Sequence, residues 1–158
     1  MPILHSQMAA QGTTPDGKAV QVPPAVALQM RGPVLQVTVT IEQSAGKALL
    51  SQGKTAPTKT GFALIDTGAS NTCIDEQAAQ ELGLPVIDVG TMQSASHERH
   101  PCNIYPVQII APMVTMNSQR TMGANLASQG LLVLIGRDVL QSCNLFYNGP
   151  AGQFTLSL

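Results

Sequence analysis

Phe62-Ala63-Leu64-Ile65 runs without a polar break into Asp66-Thr67-Gly68-Ala69-Ser70, and this junction constrains the fold more than any other stretch of the chain. Four successive apolar residues need burial on both faces, which suits an internal strand. Gly68 is expected to supply backbone angles that a side chain would resist. A carboxylate held in a tight turn at the end of a buried strand is placed for chemistry more than for solubility. Asp, Thr and Gly are also ordinary turn formers, so the tripeptide alone does not separate a functional turn from a surface one.

The neighbouring segments give the class. Val37, Val39 and Ile41 alternate with polar residues from Val34 onward, the period of a strand with one buried face. A polar stretch from Ser51 to Thr60 leads into the apolar run. Asp75 is placed to cap a short helix over Glu76 to Leu82, with Ala78, Ala79 and Leu82 as its apolar face and Gly83 and Pro85 as its stop. Residues 91 to 110 read as a long hairpin with a polar tip between Ser94 and His100. Leu131 to Ile135 read as a second buried strand ending at Gly136, after which Asp138 is placed to cap a short helix. Leu145 to Tyr147, the turn Asn148-Gly149-Pro150 and the alternation of Phe154, Leu156 and Leu158 predict a closing hairpin. The fold class is mainly β with short helices. Residues 1–25, rich in turn formers, read as an N-terminal extension or strand arm, and residues 26–158 as one domain.

Composition excludes several functions. The chain of 158 residues carries 44% apolar and 11% charged residues and a formal net charge of -1, with no run of Lys or Arg. Electrostatics therefore give no reason to expect nucleic acid or an anionic membrane as partner. The first residues lack a basic segment followed by an apolar core, and no apolar run approaches bilayer length. Cys73, Cys102 and Cys143 are odd in number and widely spaced, which fits reduced thiols better than a disulfide framework. The expectation is a cytoplasmic protein. His97, His100 and Cys102 lack a fourth ligand nearby, so no metal and no cofactor is expected. Gly53-Lys54-Thr55 lacks the upstream glycine of a phosphate loop, and Pro57 interrupts the helix that should follow.

Taken together, the Asp66-Thr67-Gly68-Ala69 turn and Leu132-Val133-Leu134-Ile135-Gly136-Arg137-Asp138 resemble the retropepsin family of aspartic proteases. The resemblance runs from about Val34 to Leu158 in the family's order of elements. It implies a closed β-barrel of the acid protease type, one lobe per chain, and an aspartic endopeptidase, a hydrolase, with Asp66 as the catalytic residue. Thr67, Gly68, Leu134, Ile135 and Gly136 would support the catalytic turn, with Gly136 letting its strand pass close behind the loop. Ala69 and Ser70 would line the substrate groove. The hairpin tip, with Ala95, Ser96, His97 and Glu98, would be a flap closing over substrate. Arg137 and Asp138 would be structural. Many retroviral members have an acidic residue at the place of Ser70, paired with the arginine matching Arg137; here Arg137 must find Asp75, Asp138 or backbone carbonyls.

Peptide hydrolysis by this chemistry needs two carboxyl groups about one water, one ionised as base and one protonated as acid. Asp-Thr-Gly occurs once in the chain. The resemblance therefore implies a homodimer in which a second copy supplies the other Asp66, acting on an extended peptide or protein at mildly acidic pH. A peptide-binding or dimerisation module with little or no catalysis on the same fold is the alternative, motivated by Ser70 and by a flap tip without glycines.

Overall fold

The computed structural model describes residues 2–94 and 97–158, with the side chains of residues 94, 97 and 98 also outside the description. In chain order the elements begin with β1 (Ile3–Gln7), β2 (Ala10–Thr13), β3 (Ala19–Val22), α1 (Pro24–Arg31), β4 (Val34–Ile41) and α2 (Gln43–Ser51). There follow β5 (Thr58–Ile65), β6 (Cys73–Asp75), α3 (Glu76–Glu81), β7 (Asp88–Ser94), β8 (His97–Ala111) and β9 (Val114–Ala124). A 3-10 turn at Ala127–Gln129 precedes β10 (Val133–Ile135), α4 (Arg137–Leu140), β11 (Asn144–Asn148) and β12 (Gln153–Ser157).

The chain is mainly β, as expected, and its main sheet closes on itself. The seven-stranded sheet runs β4-β5-β10-β6-β9-β8-β7, and β4 also pairs with β8. Six strands thus form a closed barrel, while β7 hangs outside it on β8. Closure removes the open strand edges that would otherwise invite aggregation. The barrel is filled by the inward-facing residues of alternating strands: Val37 and Val39 of β4, Ile74 of β6, Val107 and Ile109 of β8, and Val133 and Ile135 of β10 are all buried. Each such side chain contributes on the order of 1.5–3 kcal/mol through removal from water. A second sheet, ordered β1-β12-β11, brings Phe154 and Leu156 of β12 into the same core. No helix among the described residues is long and apolar enough to cross a membrane.

Three segments differ from the sequence expectations. The first thirty residues hold three strands and helix α1. That helix starts with Pro24 in its first turn, where a missing N–H costs nothing, and ends at Gly32 with φ +71°. Its Ala27 and Leu28 are buried, and β1 pairs in register with β12 from Ile3↔Ser157 to Gln7↔Gln153. Helix α2 occupies Gln43–Ser51, a stretch to which the sequence assigns no element. Its cap is Glu42, whose carboxylate accepts from the Ser44 and Ala45 amides. Glu is an uncommon cap and no α2 residue is buried, so neither the capping nor the apolar-face signal was present. Strand β9 was hidden for a related reason: its inward positions include the polar residues Ser118 and Thr121 beside Val114 and Met116.

Candidate active site

The barrel brings the two motifs together by inserting one strand between the flanks of the Asp66 turn. β5 ends at Ile65 and β6 begins at Cys73, with Asp66 to Thr72 between them. β10 lies between these strands, parallel to β5 (Ile135↔Ile65) and antiparallel to β6 (Leu134↔Cys73). The Asp66 amide continues the ladder, donating to Ile135 O at 3.0 Å. The turn folds back on the carboxylate: Gly68 N and Ala69 N donate to Asp66 Oδ1 at 2.8 and 3.3 Å. This side chain thereby satisfies two backbone donors of its own loop, the usual stabilisation of an Asp turn. Asp66 Oδ2 makes no hydrogen bond among the described residues, and the half-buried side chain lines a cavity of about 580 Å³.

Gly68 does not have the backbone angle expected of it; the glycines with positive φ are elsewhere. Its requirement is spatial, because a Cβ there would stand 3.0 Å from Asp66 Oδ1, the oxygen its own amide holds. Gly136 is needed for the same kind of reason and more stringently. A Cβ at 136 would lie 2.5 Å from the backbone carbonyl of Asn71 and 2.9 Å from Thr72 N. Backbone atoms cannot rotate aside as a side-chain tip can, so only glycine permits the close passage.

The segment after Gly136 ties down the loop from behind. Arg137 N and Asp138 N donate to the carbonyls of Ala69 and Ser70 at 3.0 and 3.2 Å. Asp138 accepts from Thr72 N at 3.0 Å and Thr72 Oγ1 at 2.7 Å, and from Val139 N at 2.9 Å. Thr72 Oγ1 in turn accepts from Gly136 N at 3.0 Å. Asp138 is therefore an anchor for Thr72 rather than the cap of α4; the cap position belongs to Gly136. Arg137 needs no acidic partner: its guanidinium donates to Thr67 O, Gly68 O and Ser70 Oγ at 3.0, 3.2 and 2.7 Å. A planar fork of donors suits this clamp on three acceptors, which a carboxylate at position 70 would otherwise share.

Of the residues singled out in the sequence, Asp66, Gly68, Ala69, Ser70 and Leu134 line the cavity together. Thr67 is exposed at its rim, while Ile135 and Gly136 are buried behind it. Ala95 and Ser96 lie outside the described residues; His97 opens β8, its backbone opposite Ser94. The hairpin does reach the cavity, but through Thr91, Met92 and Gln93 on β7. Asn71, Cys73 and Met122 complete the lining. Met122 could not be found from the sequence because strand β9 itself was not. Thr72 carries no motif of its own; its role appears only once Asp138 is beside it. The Cys73 thiol is pushed up to about 11, by burial first and then by the nearby Cys102, Asp138 and Asp66, so it remains a neutral thiol beside the carboxylate.

A family model described as aspartyl protease matches residues 37–139, well over half of the chain, and the chain belongs to that family. Among solved structures, one similar chain is a crystal structure of a retropepsin-like aspartic protease from Rickettsia conorii, at 13% identity, covering 98% of this chain and 92% of that one, with a TM-score of 0.44. No curated protein matches the sequence.

Proposed function

We propose that the chain is one subunit of a homodimeric aspartic endopeptidase, with Asp66 of each copy forming the catalytic pair. The observation that carries this reading is the state of Asp66: one oxygen held by the Gly68 and Ala69 amides, the other without a hydrogen bond beside a cavity whose lining, among the described residues, holds no second carboxylate. The chemistry needs two carboxyls, so a symmetry-related Asp66 supplies the other.

In that dimer a water lies between the two Asp66 side chains. The ionised one takes a proton from the water as its oxygen attacks the scissile carbonyl carbon. The protonated one hydrogen-bonds the carbonyl oxygen and passes its proton to it as negative charge develops there, giving a gem-diol. Collapse breaks the C–N bond, and a carboxyl proton passes to the leaving amine nitrogen. Two nearby carboxylates share one proton because both cannot ionise cheaply, which is the known behaviour of aspartic protease dyads. Thr67, exposed at the cavity rim, is placed to bond across to the partner chain. Ala69 and Ser70 on one side and Thr91 to Gln93 of the hairpin on the other would hold an extended peptide as an added strand.

The test is cleavage of a denatured protein at roughly pH 4 to 7, wild type beside Asp66→Asn, with sedimentation of both. Cleavage by a dimeric wild type and none by the variant supports the reading. Cleavage that survives the substitution, or an obligate monomer that is fully active, overturns it.

A further inference from the structure

The cleft between the root of the β7–β8 hairpin and the barrel holds a polar cluster that the catalytic turn does not use. β8 pairs with β9 only as far as Ile104↔Met122. From Asn103 toward the tip, β8 pairs with β7 alone, so this part of the hairpin projects free of the barrel ladder. Asn103 and Tyr105 lie on the same face of β8, two residues apart, and both meet Glu76, the first residue of α3. Tyr105 Oη donates to Glu76 Oε1 at 2.6 Å and Asn103 Nδ2 donates to the same oxygen at 2.8 Å. Gln80 Nε2 adds a third bond at 3.2 Å. Tyr105 is buried, and its phenol is pushed up to about 12 by burial first and by the Glu76 contact second. It is a fixed post of the body, whereas Asn103 belongs to the projecting arm.

The facing strand leaves room for this carboxylate. Gly123 sits inside β9, where a glycine ordinarily weakens a strand. A Cβ there would overlap Glu76 Oε2, stand 3.0 Å from Glu76 Cδ and come within 3.1 Å of Tyr105 Cε2. The missing side chain is the seat of the Glu76 head group. Along the hairpin, Thr91↔Pro101 and Met92↔His100 are paired, so the arm that Asn103 anchors carries the residues that face Asp66.

We propose that Glu76 is a positioning residue: by holding Asn103 it sets the angle at which the hairpin lies over the Asp66 cavity. This rests on the protease reading, since its consequence is for substrate held beneath the hairpin. Losing the tie costs substrate binding rather than the chemical step.

Two substitutions separate the tie from mere support of the fold. Asn103→Ala is expected to raise KM about tenfold, the loss of one charge-assisted hydrogen bond, with kcat and the urea midpoint little changed. Tyr105→Phe removes the bond inside the body together with a longer contact, 3.3 Å from Asn103 Nδ2 to Tyr105 Oη, and is expected to lower the urea midpoint while raising KM less than Asn103→Ala does. Glu76→Gln keeps a carbonyl oxygen at Oε1 and should raise KM less than Glu76→Ala. Gly123→Ala, which evicts an intact Glu76, should raise KM as Asn103→Ala does and lower the urea midpoint as well, because the Tyr105 bond is lost with it. A KM unmoved by Asn103→Ala, or one that tracks stability across both variants, overturns the proposal. A second arm needs no catalysis: in Asp66→Asn protein, hydrogen exchange of hairpin amides 88–94 and 99–103 should speed up on adding Asn103→Ala while barrel amides do not change. Absence of a local increase overturns the proposal even if the wild type proves inactive, and an increase in an inactive protein sinks only the protease reading.

Discussion

The catalytic turn and the hairpin above it share a cavity but are held in opposite ways. Residues 66–72 are bonded to the segment after Gly136 by backbone amides, by the Asp138 carboxylate and by the Arg137 fork. The outer hairpin, beyond Ile104, has ties to the body that include the Asn103 bonds to Glu76 and Tyr105 and the exposed Arg120–Asp88 ion pair, in which Nη2 stands 2.7 Å from Oδ2. On the proposed protease reading, a carboxyl that meets its twin and a water within tenths of an ångström would need the first arrangement. A cover that lets a peptide enter and leave would need the second.

Predictions that break or sharpen this contrast run from large to small. Asp66→Asn should lower the cleavage rate at least about 10³-fold without unfolding the protein, because the amide oxygen can still accept from Gly68 and Ala69; turnover assays with a circular dichroism control check it. Gly136→Ala drives a Cβ into the Asn71–Thr72 backbone and should destabilise by about 3 kcal/mol or more, read from urea unfolding. Asp138→Ala leaves Thr72 N, Thr72 Oγ1 and Val139 N without their acceptor and should cost about 2–3 kcal/mol in the same assay. The folded Cys73 thiol holds its proton up to about pH 11, above the ordinary thiol value of 9.0. The unfolded chain loses that proton earlier, so stability should be level below about pH 9 and fall by on the order of 2 kcal/mol toward pH 11, a slope that Cys73→Ser reduces. Arg120→Ala removes an exposed ion pair and should leave both the urea midpoint and KM unchanged; a shift in either would mean that the ion pair shares in holding the hairpin.

The two motifs were legible because each combines a local signal with an unusual requirement: an apolar run that must be buried, ended by a residue that strict geometry selects. Asp66, Gly136 and the closing β11–β12 hairpin could therefore be named from the chain alone. Helix α2 and strand β9 could not, since one lacks a buried face and an ordinary cap, and the other turns Ser118 and Thr121 inward. The partners of Arg137 were narrowed to backbone carbonyls among other choices, and tertiary contact selected Thr67, Gly68 and Ser70.

Amino-acid order by itself determined the mainly β class, the acidic turn at the end of a buried strand and the glycine that follows the second apolar run. Those features depend on periodicity and on the steric limits of single residues, which act over a few positions of chain. Only the tertiary structure decided that β10 enters between β5 and β6, that Gly68 serves space rather than backbone angle, and that Glu76 occupies the volume Gly123 leaves open. The first and last are contacts between segments far apart in the chain, and no local preference encodes which distant atom will fill a given space; the Gly68 contact with Asp66 is local, but it depends on how the folded turn orients that carboxylate.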